Sequence, residues 1–583
     1  MIFGGQFEQI HEPWRKLFAT SAFRFREGLS PEERTALSYQ RLRLVNDALA
    51  DGGDHPERLA GDIERLTALH EWVGPADAGL GTIASIHYNL VLGSLLDHDG
   101  PRDLREFANM ARTGTFLCTE AAHGNSATHL ETTATYDPDG REFVLQTPTP
   151  GAGKFMPNTS ALGGPKSGVV AARLIVGGRD QGVFLFLLPL SDDAGHPLPG
   201  VRIQRLPQTT TSPVDHCLTV FDSVRLPYEA LLQADHGRLS PDGEFTSDVG
   251  SSRIRFLRSV ARVTAGKLCM TAASLGMARH ALAVAIGYAH TRHIPSGIPG
   301  DTIPLIAHRS HHAPLLDAIA TTYAATLLHR IAVRQWAQAT SKEDREAADR
   351  LVAIAKGWIT WRARDVMTTC RERCGSHGLF LANGIAGQLS ANEGTITAEG
   401  DNLVIWVKAA AEMLLNFTST ADAPSQDPDI ASPDGLQDLL ADIERVWHHE
   451  ARTRLRSRKR GNRVARWNRA VLPALELVDA HARRLAAEAL LNAANQASNP
   501  STRRLLLAVH RLFALRHISN HSGTLLAQGH LTAQQVRQLP EAIDDILDEL
   551  APDALTLADG FAVSEEVLLN HPISALSNGV VPA

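Results

Sequence analysis

LETTATYDPDGREFVLQTPT (130–149) decides how the whole chain is read. Two short runs rich in Thr, Tyr, Val and Phe flank Asp137-Pro138-Asp139-Gly140, a cluster of turn formers, and so predict a β-hairpin. Further strand-like runs follow at SGVVAARLIV (167–176), GVFLFLLPL (182–190) and HCLTVFDSVRLP (216–227), with Gly177-Gly178 between the first two. Strands at this spacing predict a small β-barrel domain over 113–240. Outward on both sides the apolar period changes from two to that of a helix. Ser30-Pro31-Glu32-Glu33 is a capping box with Pro in the first helical position, and residues 1–112 are expected to form a helical domain. Ala/Leu-rich amphipathic stretches predict a helical bundle over 241–417. TSTADAPSQDPDIASPDG, within 418–435, has the composition of a linker, and 436–583 is expected to form a second, C-terminal bundle. The fold expected is mainly α with a central β-barrel.

Composition removes several classes of function. Lys and Arg total 57 against 64 Asp and Glu, a net charge of −7, the wrong sign for a general nucleic-acid binder. Five cysteines in 583 residues are too few for a disulfide framework and fit a reducing compartment. The apolar stretch 169–190 is interrupted by Arg173, Arg179 and Asp180, so no membrane span is expected there. The first residues do not read as a signal peptide, and the end GVVPA is not a peroxisomal tripeptide. The expected location is cytoplasmic.

Four segments stand out. GTFLCTEAAHGNSATHLETTATYDPDGREFVLQTPTPGAGKF (114–155) is rich in small residues that let backbone N–H groups approach a ligand. FDSVRLPYEALL (221–232) is a strand ending in a Pro-led turn and has no chemistry of its own. GKLCMTAASLGMARHALAVAIGYAHTRH (266–293) is a helix ending in an arginine. CRERCGSHGLFLANGIAGQLSANEGTITAEGDNLVIW (370–406) contains Glu399-Gly400-Asp401-Asn402, which by itself is a common acidic turn before a helix.

Together these segments, in the order helices, barrel, bundle, resemble the acyl-CoA dehydrogenases, and the second C-terminal bundle resembles the acyl-CoA oxidases. TE-x-x-HG followed by LETTATYDP, the FDSV exit, the Y-A-x-x-R helix end and T-x-E-G-D-N are each similar to that superfamily's pattern. The resemblance implies FAD as cofactor, with contacts at Thr119, Gly124, Asn158, Arg292, Gly375 and Asn402. Arg292 is implied to reach the flavin of a neighbouring subunit, hence a homodimer. Glu399 is implied as the base that removes the α-proton of an acyl thioester while the flavin takes the β-hydride, with Gly400 and Lys267 on the substrate side. The implied partners are an acyl-CoA or carrier-bound acyl thioester and molecular oxygen, and the product is a trans-2-enoyl thioester. Lys267 stands where the family often has Arg, Asn158 where it often has Gly, and Phe155 where it has Trp.

Alternatives stay open at this stage: an electron-transfer flavoprotein as acceptor, a carrier-bound substrate of specialised metabolism, or a silent flavin-fold scaffold. His308, His311 and His312 could bind a metal, but no carboxylate or Cys is near in sequence and a place near the cofactor is the better expectation. GAGK (151–154) lacks P-loop spacing. Cys370 and Cys374 read as packed thiols. Nine Lys/Arg within 452–469 are a solvated face or a site for an anionic partner.

Overall fold

The computed structural model describes residues 2–3, 5–100, 102–416, 428–457 and 462–577. It resolves into two compact units, Thr20–Cys269 and Met1–Ala19 with Met270–Ala583. The expected helical domain 1–112 is therefore corrected: its first 19 residues belong to the bundle unit, and the rest shares a unit with the strands. In the bundle unit Ile2 and Phe3 are buried, Arg330 Nε donates to the Ile2 carbonyl at 3.0 Å, and the Arg279 and Arg330 guanidinium groups lie over the Phe3 ring.

In the unit Thr20–Cys269, helix Pro31–Asp51 starts with the expected box. Ser30 Oγ accepts from Glu33 N at 3.2 Å, and the Glu33 carboxylate accepts from Ser30 N at 2.8 Å. Most of the unit's strands form a seven-stranded and a three-stranded sheet around one core. Lys166–Val176 is long enough to pair in parallel with Thr113–Leu117 along its first half and with Thr133–Asp137 along its second. Its other edge takes Arg179–Pro189 through a turn with φ +54° at Gly177 and +71° at Gly178, a conformation that glycine adopts without steric cost. The run 216–227, read as one strand, is two. Cys217–Phe221 lies in the small sheet and Val224–Pro227 in the large one, with Ser223 (φ +53°) at the corner. Phe143, Val170, Phe184 and Phe186 of the large sheet and Phe221 of the small one fill the core between them.

In the other unit the long helices Arg309–Gln338, Lys342–Arg373, Asn402–Asn416, Pro433–Arg456, Arg463–Gln496 and Pro500–Asn520 pack on each other. The two expected bundles are one body, because Arg463–Gln496 packs on both Arg309–Gln338 and Asn402–Asn416. Of the expected linker 418–435, residues 418–427 lie outside the described residues. The remainder belongs to the bundle: the Pro428 carbonyl accepts from Gln535 Nε2 at 2.9 Å, and Ser432 caps helix Pro433–Arg456. Ala78–Asp97 and Arg262–Thr291 are long and apolar enough to cross a membrane, but 83% and 100% of their apolar windows are buried inside the protein, as in core helices.

Candidate active site

On the sheet unit, Thr119 follows strand Thr113–Leu117 and is exposed. Its carbonyl accepts from Phe155 N at 2.9 Å, which sets Thr119 beside Phe155 and Met156, two apolar residues 39% and 38% exposed. Beneath this rim Glu120 and Lys154 pair at 3.0 Å. Glu120 also accepts from Thr132 Oγ1 at 2.6 Å and from the amides of Glu131 and Thr132 at 2.7 and 2.9 Å. Burial pushes the Glu120 carboxyl up, but the Lys154 ammonium and these donors outweigh it and hold the group below the usual carboxylate range. The lysine of GAGK is thus an internal tie. Sequence reading missed the pair, since 34 residues separate its members and neither spacing nor composition links them.

Asn158 is wholly buried. Its Oδ1 accepts from Thr115 Oγ1 at 2.6 Å, its Nδ2 donates to Tyr39 Oη at 3.0 Å, and its carbonyl accepts from Lys166 Nζ at 3.1 Å. The side chain faces inward, into a network where Tyr39 donates to Asp215 at 2.7 Å and Lys166 donates to Tyr39. Burial draws the Lys166 ammonium down to about 8, against the attraction of Asp215. A contact from Asn158 to a ligand could come only from its backbone N–H. Gly124 lies on an exposed turn where an added Cβ would meet nothing within 4 Å, so crowding does not require glycine there. Lys267 is half-buried, and its ammonium leans back along its own helix to the Val263 carbonyl at 3.4 Å.

On the bundle unit, helix Ile385–Thr397 ends at Ala398, and Glu399 follows in the left-handed region with φ +57°. Gly400 continues it at φ +100°, and Asp401 Oδ1 accepts from Leu403 N at 3.0 Å to start helix Asn402–Asn416. Glu399 is half-buried. Asn402 is buried; its Nδ2 donates to Thr360 Oγ1 at 2.9 Å and to the Gly357 carbonyl at 3.3 Å, so it holds the turn to helix Lys342–Arg373. Its amide is turned to its own unit. The structure thereby brings Glu399, Gly400 and Asn402 together on one turn.

Gly375 takes φ +57° just after Cys374, ending helix Lys342–Arg373. Cys370 and Cys374 are buried free thiols; burial raises both, Cys374 to about 12. Arg292 ends helix Arg262–Thr291, exposed, and its guanidinium makes no hydrogen bond or ion pair among the described residues. His312 Nδ1 lies 2.9 Å from the Ile306 carbonyl, and no metal-binding cluster of His, Cys, Asp or Glu occurs among the described residues. In the basic stretch 452–469, Arg454 pairs with Glu450 at 2.6 Å, and 458–461 lie outside the described residues.

The family model for the acyl-CoA oxidase C-alpha1 domain matches residues 261–414, and the acyl-CoA oxidase model matches 440–576. A mouse acyl-coenzyme A oxidase-like protein is 25% identical over 570 residues, covering 92% of this chain and 89% of its own length. The peroxisomal acyl-coenzyme A oxidase 2 of Arabidopsis thaliana is 26% identical over 581 residues, covering 92% and 83%. Among solved structures, acyl-CoA oxidase 1 of Yarrowia lipolytica superposes with a TM-score of 0.84 at 21% identity, covering 99% of this chain and 88% of that one.

The chain resembles the acyl-CoA oxidases along most of its length. A second structure, Caenorhabditis elegans acyl-CoA oxidase-2 bound with FAD, ascaroside-CoA and ATP, has the same fold, with a TM-score of 0.84 at 18% identity over 98% of this chain and 89% of that one. The acyl-CoA oxidase models together reach both halves of the bundle unit, including the Glu399 turn and the C-terminal helices.

Proposed function

We propose that this chain is an FAD-dependent acyl-thioester oxidase of the acyl-CoA oxidase type. The observation that carries the reading is Glu399, a carboxylate held at φ +57° between a helix end and Gly400, in a sequence that places the family's base there. A non-glycine residue adopts this backbone only where its surroundings hold it, and such positions cluster at functional sites.

Two features fit a flavin. The exposed Thr119 hydroxyl beside the apolar Phe155 and Met156 offers a hydrogen bond and a flat face to stack on. Arg292 offers a guanidinium with no partner among the described residues, suited to a pyrophosphate. When bound, FAD would supply the hydride acceptor. Glu399 removes the α-proton of the thioester. The amides of Gly400 and Asp401 donate to no protein group among the described residues and are open to the carbonyl oxygen on which charge develops. The product is a trans-2-enoyl thioester, and molecular oxygen is the proposed electron acceptor. The Arg292 reading carries a homodimer with it, and five free cysteines support a reducing, cytoplasmic setting.

Anaerobic titration of the purified protein with a panel of acyl-CoA and carrier-bound thioesters, followed by admission of air, tests this. Bleaching of the flavin band by a thioester and prompt recovery in air are expected. Recovery only with an electron-transfer flavoprotein would make it a dehydrogenase, and a colourless protein would make it a scaffold.

A further inference from the structure

We propose that Lys356 is the positioning residue of the catalytic turn, setting the Glu399 carboxylate through the backbone. This rests on the reading of Glu399 as base. Lys356 lies in the middle of helix Lys342–Arg373 and has no exposed surface. Its ammonium donates to the Ile396 carbonyl at 2.7 Å and to the Gly400 carbonyl at 2.9 Å. These carbonyls stand on either side of Glu399. The first belongs to the last turn of helix Ile385–Thr397, where carbonyls lack intrahelical partners and the helix dipole favours a cation. The second closes the left-handed pair Glu399-Gly400. One cation therefore clamps both ends of the strained segment.

The same face of that helix holds the flanking elements. Asn392 Nδ2 donates to the Thr360 carbonyl at 3.0 Å, and Asn402 Nδ2 to Thr360 Oγ1 at 2.9 Å. Trp406 Nε1 donates to the Ile354 carbonyl at 3.2 Å. Gly357 is what lets Trp406 come so close, since a Cβ there would lie 2.1 Å from Trp406 Nε1. Helix Lys342–Arg373 is thus a rigid platform, and Lys356 carries an ionised contact from it to the turn. Without the clamp, Glu399 can relax from φ +57° toward ordinary backbone, and its carboxylate moves. A displacement of about 1 Å at a reacting group is enough to cost roughly 10²-fold in rate.

The test uses the flavin-loaded full chain. Lys356→Met keeps the stem and removes the charge. A roughly 10²-fold fall in kcat per bound flavin, with KM within about twofold of wild type, is expected. A purely structural lysine would lower the unfolding midpoint and leave kcat per bound flavin unchanged, which overturns the proposal. A second readout needs no activity. Glu399→Gly removes the left-handed strain together with the carboxylate's own contacts, and the resulting shift in unfolding midpoint should differ between the wild-type and Lys356→Met backgrounds; an equal shift in both overturns the proposal. If Lys356→Met does not fold, Lys356→Gln keeps one donor in the same space. There a tenfold or larger fall in kcat with KM kept supports the clamp, and wild-type kcat overturns it. Glu399→Gln alone separates the two readings: if it leaves reduction of the flavin intact, the function assigned to Glu399 fails, whatever Lys356 does.

Discussion

Lys154 and Glu120 form an ion pair at 3.0 Å in which neither side chain has any exposed surface. A pair of this kind is poor evidence for stability in itself, yet breaking it strands a charge in the interior. Lys154→Met should therefore destabilise the protein by about 3–5 kcal/mol, and Lys154→Met with Glu120→Gln by clearly less. Because the pair ties Phe155 to Thr119, flavin retention should fall with the single change. Urea denaturation and the flavin absorbance of the purified variants check both.

Acid acts on the same pair. The folded Glu120 carboxyl lies below its ordinary value of 4.5, with burial opposing and Lys154 leading the groups that lower it. Its contribution is complete above the unfolded value and disappears as pH falls through the folded one. Thr132→Val removes one of the donors and should move the acid-unfolding midpoint to higher pH, which circular dichroism along a pH titration would record.

His280 and His571 give a second, milder acid sensitivity. His280 Nε2 and His571 Nε2 are 2.8 Å apart, His571 Nδ1 is 2.9 Å from the Ala382 carbonyl, and Ile573 N donates to Asn383 Oδ1 at 2.9 Å, so these contacts together dock the segment 571–573. Burial, with the His571 ring beside it disfavouring charge, draws His280 down to about 3, and burial also lowers His571. Folding thus favours the neutral form of both rings, and unfolding below the ordinary value of 6.5 takes up protons. Stability is therefore lost as pH falls from that value, by up to about 1.4 kcal/mol per pH unit for each ring. His571→Phe should flatten the slope between pH 6.5 and 5. Hydrogen exchange at residues 381–384 and 571–574, compared at pH 7 and 5, locates the loss.

Glu399→Gln keeps size and hydrogen bonding and removes the base. FAD should remain bound, and stopped-flow reduction of the flavin by substrate should slow by roughly 10²–10⁴-fold. Asp401 cannot replace it without moving the backbone, because its carboxylate accepts from Leu403 N at 3.0 Å.

Arg292 should matter for the cofactor and not for the fold. Its guanidinium has no partner among the described residues, so Arg292→Met should leave the unfolding midpoint within about 0.5 kcal/mol of wild type. Flavin affinity should fall at least tenfold. Light scattering of the wild type is expected to give a dimer or larger; a monomer with full flavin occupancy would sink the homodimer.

Local features were legible because they depend on a few neighbouring residues. The Ser30 cap needs only Glu33 three positions on, and the Gly177-Gly178 turn needs only residues that accept positive φ. The unusual backbone of Glu399-Gly400 lay in a motif recognisable by its residues, although its left-handed angle was not. Chain organisation was legible less far. The corner at Ser223 splits an unbroken apolar run, since no residue type there forbids a continuing strand. The buried Phe3 depends on Arg279 and Arg330, more than 270 residues away in the sequence.

From the sequence by itself come the alternation of helical and strand periods, the caps and turns, the absence of a disulfide framework and the candidate acid at Glu399. Those are properties of composition and short-range sterics. Tertiary structure alone decided that Asn158 turns inward to Thr115 and Tyr39, that Lys154 neutralises Glu120, and that Lys356 clamps both sides of Glu399. The reason is physical: a lysine has the same local propensity in water as in a core. Only packing removes the water and leaves a distant carbonyl or carboxylate as its partner.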